Sequence, residues 1–135
     1  VVWLLFVSKD KRKENAMADW GIKLDWLRCH DAQEARDEPF IRVNGREVWR
    51  GAQVRTGDTR ELYFRALLDR NETVQIELWE GDRRRNDKIG DTLTVAYRDV
   101  RAWEESPSSP HHVFRGDRGM VGDATYELLY SLYYA

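Results

Sequence analysis

The stretch TVQIELWEGDRRRNDKIGDTLTV, Thr73 to Val95, decides how the rest of the chain is read. Val74, Ile76 and Leu78 alternate with Gln75 and Glu77. Successive side chains of a strand point to opposite faces, so this period of two predicts a strand with one buried face. KIGDTLTV predicts a second strand through Ile89, Leu93 and Val95. Between the two lie Glu80, Asp82 and Asp87, three consecutive arginines (Arg83, Arg84, Arg85) and Lys88. Such a loop is either a solvated turn or a place that holds a cation and faces something anionic.

The same period recurs on both sides. GIKLDWLRC sets Ile22, Leu24 and Trp26 against Lys23 and Asp25. Phe40–Val43 and Arg46–Trp49 flank Asn44-Gly45, a hairpin signal because both turn positions need positive φ. Glu61–Leu68 predicts a strand, although Leu62, Arg65 and Ala66 also fit a helical turn. RDVRAWEE predicts a short helix ending before Ser106, followed by the loop SPSSP. HHVFRG and ATYELLYSLYYA complete the set, the latter with Tyr126, Leu128, Tyr130 and Leu132 on one face. About eight strands with frequent turn signals predict an all-β antiparallel β-sandwich.

The 135 residues suit one domain, and a net charge of -2 gives no general attraction to nucleic acid. One cysteine, Cys29, allows no intramolecular disulfide. A zinc site from Cys29, His30, His111 and His112 is opposed by geometry, since adjacent strand residues point to opposite faces. VVWLLFV, Val1–Val7, is too short to span a bilayer, and the charged SKDKRKEN follows it where a signal peptide would carry charge first. Residues 1–17 therefore read as a leader, a tag or a fragment of a preceding segment, with an edge strand from Trp3 to Val7 as the alternative. The domain reads as residues 18–135, with no transmembrane segment.

No nucleophile elbow, P-loop or Gly-x-Gly-x-x-Gly is present, so an enzyme is not expected. Acids gather in two stretches that follow a strand: HDAQEARDEPF, with Asp31, Glu34, Asp37 and Glu38, and the loop with Glu80, Asp82 and Asp87. Calcium takes oxygen ligands in flexible geometry, and two loops at one end of a sandwich would supply them. Acids also favour exposed turns for no further reason.

These two stretches resemble the C2 domain family. Asp37-Glu38-Pro39-Phe40-Ile41-Arg42-Val43 is similar to that family's Ser-Asp-Pro-Tyr-Val-Lys-Val, with Asp31 at its first aspartate. Trp79-Glu80-Gly81-Asp82 and Asp87-Lys88-Ile89-Gly90 are similar to its Trp-Asp-x-Asp and Asp-x-Ile-Gly. The resemblance covers roughly Ile22 to Val95. It implies a C2-like sandwich, calcium as cofactor, and Asp31, Glu38, Glu80, Asp82 and Asp87 as ligands. It also implies an anionic phospholipid surface or a protein as partner, met by Arg83, Arg84, Arg85 and Lys88, and a cytoplasmic or peripheral membrane location. The chain departs from the pattern at two expected aspartates, which are Glu38 and Glu80, and in a loop about one residue short. Metal-independent docking is the alternative; a carbohydrate binder using Trp49, Trp103, Tyr133 and Tyr134, or an enzyme, is a weaker one.

Overall fold

The computed structural model describes residues 3–6, 18–81, 86–105, 111–116 and 124–135. In chain order the elements are β1 (Trp3–Phe6), β2 (Trp20–Asp31), β3 (Pro39–Val43), β4 (Arg46–Arg50), β5 (Thr59–Leu68), β6 (Thr73–Gly81), β7 (Asn86–Ala96), α1 (Tyr97–Glu105), β8 (His111–Arg115) and β9 (Thr125–Tyr134). They form a sandwich of a five-stranded sheet, β1-β5-β2-β9-β8, and a four-stranded sheet, β4-β3-β6-β7. Among the described residues every pairing is antiparallel except that of β1 with β5. The all-β sandwich expected from the sequence is the one found. Trp3–Phe6 forms a strand along the edge of β5.

The core follows from the alternation. β2 sends Trp20, Ile22, Leu24, Leu27 and Cys29 inward, and β6 sends Val74, Ile76 and Leu78 to meet them from the other sheet. In β5, Leu62, Phe64, Ala66 and Leu68 are all buried, which no helical turn would achieve, and so the segment is a strand. Buried Trp20 keeps its indole N–H satisfied by donating to the Asp69 carbonyl at 2.8 Å. Helix α1 begins where the Asp99 carboxylate accepts the Ala96 N–H at 2.8 Å, one half of a capping box. It buries Val100 against the core, with Trp103 packed beside it.

A turn and a bulge fix the register. Asn44 and Gly45 both have positive φ, 49° and 80°, as the hairpin requires. Asn44 also ties the turn to β6, its N–H donating to the Gln75 carbonyl and its side-chain oxygen accepting the Gln75 N–H. At Gly90 the pairing of β6 with β7 slips between Leu78↔Ile89 and Ile76↔Leu93. Gly90 has φ 70°, and a Cβ there would lie 2.8 Å from the Arg115 backbone nitrogen. This is where β7 comes against β8 and the two sheets meet.

The two glycines predict different costs. Gly45→Ala meets nothing within 4 Å and bears only the left-handed strain, about 1 kcal/mol. Gly90→Ala adds a clash with rigid backbone to the same strain and should cost roughly 2 kcal/mol or more. Urea denaturation of both variants checks this order; equal costs would mean that β8 yields at Gly90.

Candidate functional site

Two connections meet at one end of the sandwich, residues 32–38 between β2 and β3 and residues 51–58 between β4 and β5, where β6 also ends at Gly81 and β7 begins at Asn86. Backbone bonds knit the two connections together. Asp37 and Val54 exchange N–H···O bonds at 2.7 and 2.8 Å, and the Gly57 N–H donates to the Cys29 carbonyl at 2.7 Å. The Ala32 N–H donates to Thr56 Oγ1 at 2.9 Å. The Gly81 N–H donates to the Glu38 carbonyl at 2.9 Å, which joins β6 to the same cluster.

Asp37 organises the first connection from within. It is fully buried. Its Oδ2 accepts the Gln33 N–H at 2.8 Å and the Tyr126 hydroxyl at 2.6 Å, and its Oδ1 accepts the Glu34 N–H at 2.9 Å. Three donors compensate the desolvation of the carboxylate. Burial, and then the bond to Asp37, raise the Tyr126 phenol well above its usual range, so it stays a donor. Burial likewise pushes the neighbouring Cys29 thiol up, with its bond to Tyr126 working against the shift.

Glu80 is the second buried acid, 3% exposed. Both its oxygens accept the Glu38 N–H, at 3.0 and 3.1 Å. Burial pushes its carboxyl up to about 7; the Glu38 N–H opposes the shift, and the charges of Asp37, Glu34 and Glu38 add to it. Near neutrality this carboxyl is therefore divided between its charged and neutral forms.

The structure places the other expected residues around this pair. Glu38 meets Glu80 through its backbone while its side chain is exposed. Asp87 stands opposite Glu80 in the β6–β7 ladder. Asp31 is exposed at the end of β2, opposite Thr125. Lys88 pairs with Trp79 in the ladder, and its Nζ lies 2.6 Å from Thr92 Oγ1 and 3.5 Å from Glu77 Oε2, so its ammonium is engaged along the sheet. Asp82, Arg83, Arg84 and Arg85 lie outside the described residues. Among the described residues, no group of three or more His, Cys, Asp or Glu is arranged to hold a metal ion.

Two features escape a reading of the sequence. There Asp37 is one acid among several, and Tyr126, its partner, is 89 residues away. The second is a face on the four-stranded sheet. Phe40 and Trp79 stack at 6.3 Å, the Arg50 guanidinium lies 4.3 Å from the Phe40 centroid, and that of Arg42 lies 4.7 Å from the Trp79 ring. The alternation of Phe40 with Arg42 is a usable signal for it. The aromatics considered for a carbohydrate face have other roles: Trp49 covers Gly51, Tyr133 lies over Gly21, Trp103 packs on the core and Tyr134 meets Tyr97 edge-on.

No family model matches the chain. No curated protein matches it either. Among solved structures it is similar to a protein described as "a C2 domain", at 10% identity and a TM-score of 0.44, over 85% of this chain and 97% of that one. It is similar to the paired C2 domains of extended synaptotagmin 2, at 16% identity and a TM-score of 0.43, over 84% of this chain and 41% of that one. It is also similar to a C2 domain of a plant extended synaptotagmin 1, at 9% identity and a TM-score of 0.41, over 87% of this chain and 96% of that one. Likeness at this level assigns no ligand.

Two tests follow from the acids. Tyr126→Phe leaves Asp37 short of one donor in a buried place and should cost about 1–3 kcal/mol in chemical denaturation. The Glu80 carboxyl has a higher pKa folded, about 7, than its ordinary 4.5. Below the lower value both states are protonated and its contribution is fully present. As pH rises through this window the unfolded state ionises first and the contribution is lost, the loss being complete above the folded value. Glu80→Gln should therefore raise the denaturation midpoint at pH 8 more than at pH 4.5; an equal change at both would show that Glu80 does not titrate in this range.

Proposed function

We propose that this chain is a non-enzymatic binding module that docks by the β2–β3 and β6–β7 end onto an anionic membrane surface in response to calcium. The observation that carries the reading is Glu80: a buried carboxyl made hard to ionise by burial and by Asp37, Glu34 and Glu38 around it. Burial leaves this carboxyl short of stabilisation in its charged form, and a divalent cation beside it would supply that stabilisation. Asp31, Glu38, Glu80, Asp82 and Asp87 would hold the ion. They offer the hard oxygen donors that calcium takes, although the described ones do not gather into a set of three by themselves. Calcium would supply positive charge shared between these carboxylates and a lipid phosphate. The arginine run between Gly81 and Asn86 adds attraction to the same surface. Among the described residues, no helix is long and apolar enough to cross a membrane, which agrees with attachment from outside it. A cytoplasmic or peripheral membrane location belongs to this reading.

A second reading is docking to a protein or membrane without metal. Two observations favour it. Both Glu80 oxygens are already engaged by the Glu38 N–H, and Arg42, stacked on Trp79, offers a cation that needs no ion to act, whereas Arg50 is paired with Glu47.

Thermal unfolding with calcium separates the two. Binding to the native state raises the melting temperature by mass action. Millimolar calcium should raise it at pH 7.5, less so at pH 6 where Glu80 holds a proton, and not at all in Asp82→Asn. Sedimentation with vesicles containing phosphatidylserine should then require calcium. Sedimentation unchanged by chelator, with no thermal shift, selects the metal-independent reading.

A further inference from the structure

β1 is held to the sandwich unlike any other strand. Among the described residues its one strand neighbour is β5, and the pairing spans Trp3↔Phe64 to Phe6↔Leu67. The pairing is parallel, so no tight hairpin can make it. The chain instead runs from Phe6 through residues 7–19 to Trp20, which pairs with Leu68 on the opposite side of β5. The ends of that connection thus lie two strand spacings apart, about 10 Å. On the order of a dozen residues can extend to roughly 40 Å. The connection is therefore several times longer than placing β1 beside its own β5 requires.

The slot that receives β1 is bounded. Tyr63, immediately before Phe64, has φ 52° and is the extra residue of a bulge, since the β2–β5 register passes from Leu24↔Phe64 to Trp26↔Glu61. A bulge bends a strand and ends regular pairing along its edge. Tyr63 is half exposed, so no burial explains why it holds a backbone conformation that costs an L-residue free energy. Its effect is to leave Phe64–Leu67 as a short acceptor edge, fitted to a strand of four residues.

We propose that this edge of β5 is a strand-exchange site, and that its alternative occupant is the Trp3–Phe6 strand of a second copy of this chain. Every copy carries the strand that fits the slot and a connection long enough to reach a neighbour. The contacts are the same in either arrangement, so the balance depends on concentration and not on new interactions. The dissociation constant of the exchanged dimer should then approach the effective concentration of a tethered strand, roughly millimolar.

Sedimentation equilibrium of the full chain tests this. The dimer fraction should grow from about 10 μM to about 1 mM with a constant in the range given by tethering. Leu4→Pro combined with Leu5→Pro removes whichever N–H faces β5 and should leave a monomer throughout, with a cooperative urea unfolding transition retained. Leu4→Ala with Leu5→Ala keeps both donors and should keep the dimer. Hydrogen exchange gives a second readout: the alternate amides of Phe64–Leu67 that face β1 should lose protection in the proline variant alone, while those bonded to β2 keep it. A chain that stays monomeric at the highest concentration, or a dimer indifferent to the prolines, overturns the proposal. Calcium enters none of these measurements, so their failure is distinct from a failure of the calcium reading.

Discussion

The buried carboxylate of Asp37 is the constraint on which the loop end depends. A charge taken out of water is tolerable when donors surround it, and here they come from two places: the connection that follows β2, and β9 at the far end of the chain. One side chain thus fixes the course of residues 33–37 and pins them to the five-stranded sheet. The neighbouring bridge to Val54 then brings in the β4–β5 connection. Glu38, one residue on, is left with its N–H aimed at Glu80. The position of Glu80 in the four-stranded sheet is therefore coupled, through two adjacent residues, to a tyrosine in the other sheet.

That coupling leaves the two buried acids with different hydrogen-bond partners. Asp37 has separate donors for its oxygens, including a hydroxyl, whereas Glu80 shares one N–H between both of its own. Hydrogen bonds to a charged form favour it and burial disfavours it. Among the described residues Glu80 has one such bond against its burial, and its carboxyl is accordingly raised.

The fold was legible because its signals are local. The period of two in Val74–Leu78, Asn44-Gly45 at a hairpin, and the short helix after β7 each rest on a few neighbouring residues. The candidate site was legible by residue type but not by arrangement. Asp31, Glu38, Glu80 and Asp87 stand near the loop end, yet the sequence could not show that Glu80 is buried and Asp31 exposed, or that Lys88 turns to Thr92. Nor could it separate Asp37 from Glu34, since what distinguishes them is a hydroxyl on another strand. Such partnerships span most of the chain, and no local pattern records them.

The same separation bears on how the molecule assembles. In the four-stranded sheet each strand has one near neighbour in sequence: β3 turns directly into β4, and β6 is followed by its partner β7, although β3 and β6 themselves pair across a long interval. β2, the middle strand of the five-stranded sheet, has no such partner. Arg28 meets Thr59 across 31 residues, and Asp25 meets Ser131 across 106. Closing loops of that length costs entropy before any contact repays it, and contacts distant in sequence slow folding. On a ribosome β2 emerges early and must wait for the last strand before its second edge is covered. The twelve residues that organise the finished sheet are thus the ones exposed longest while it is being made.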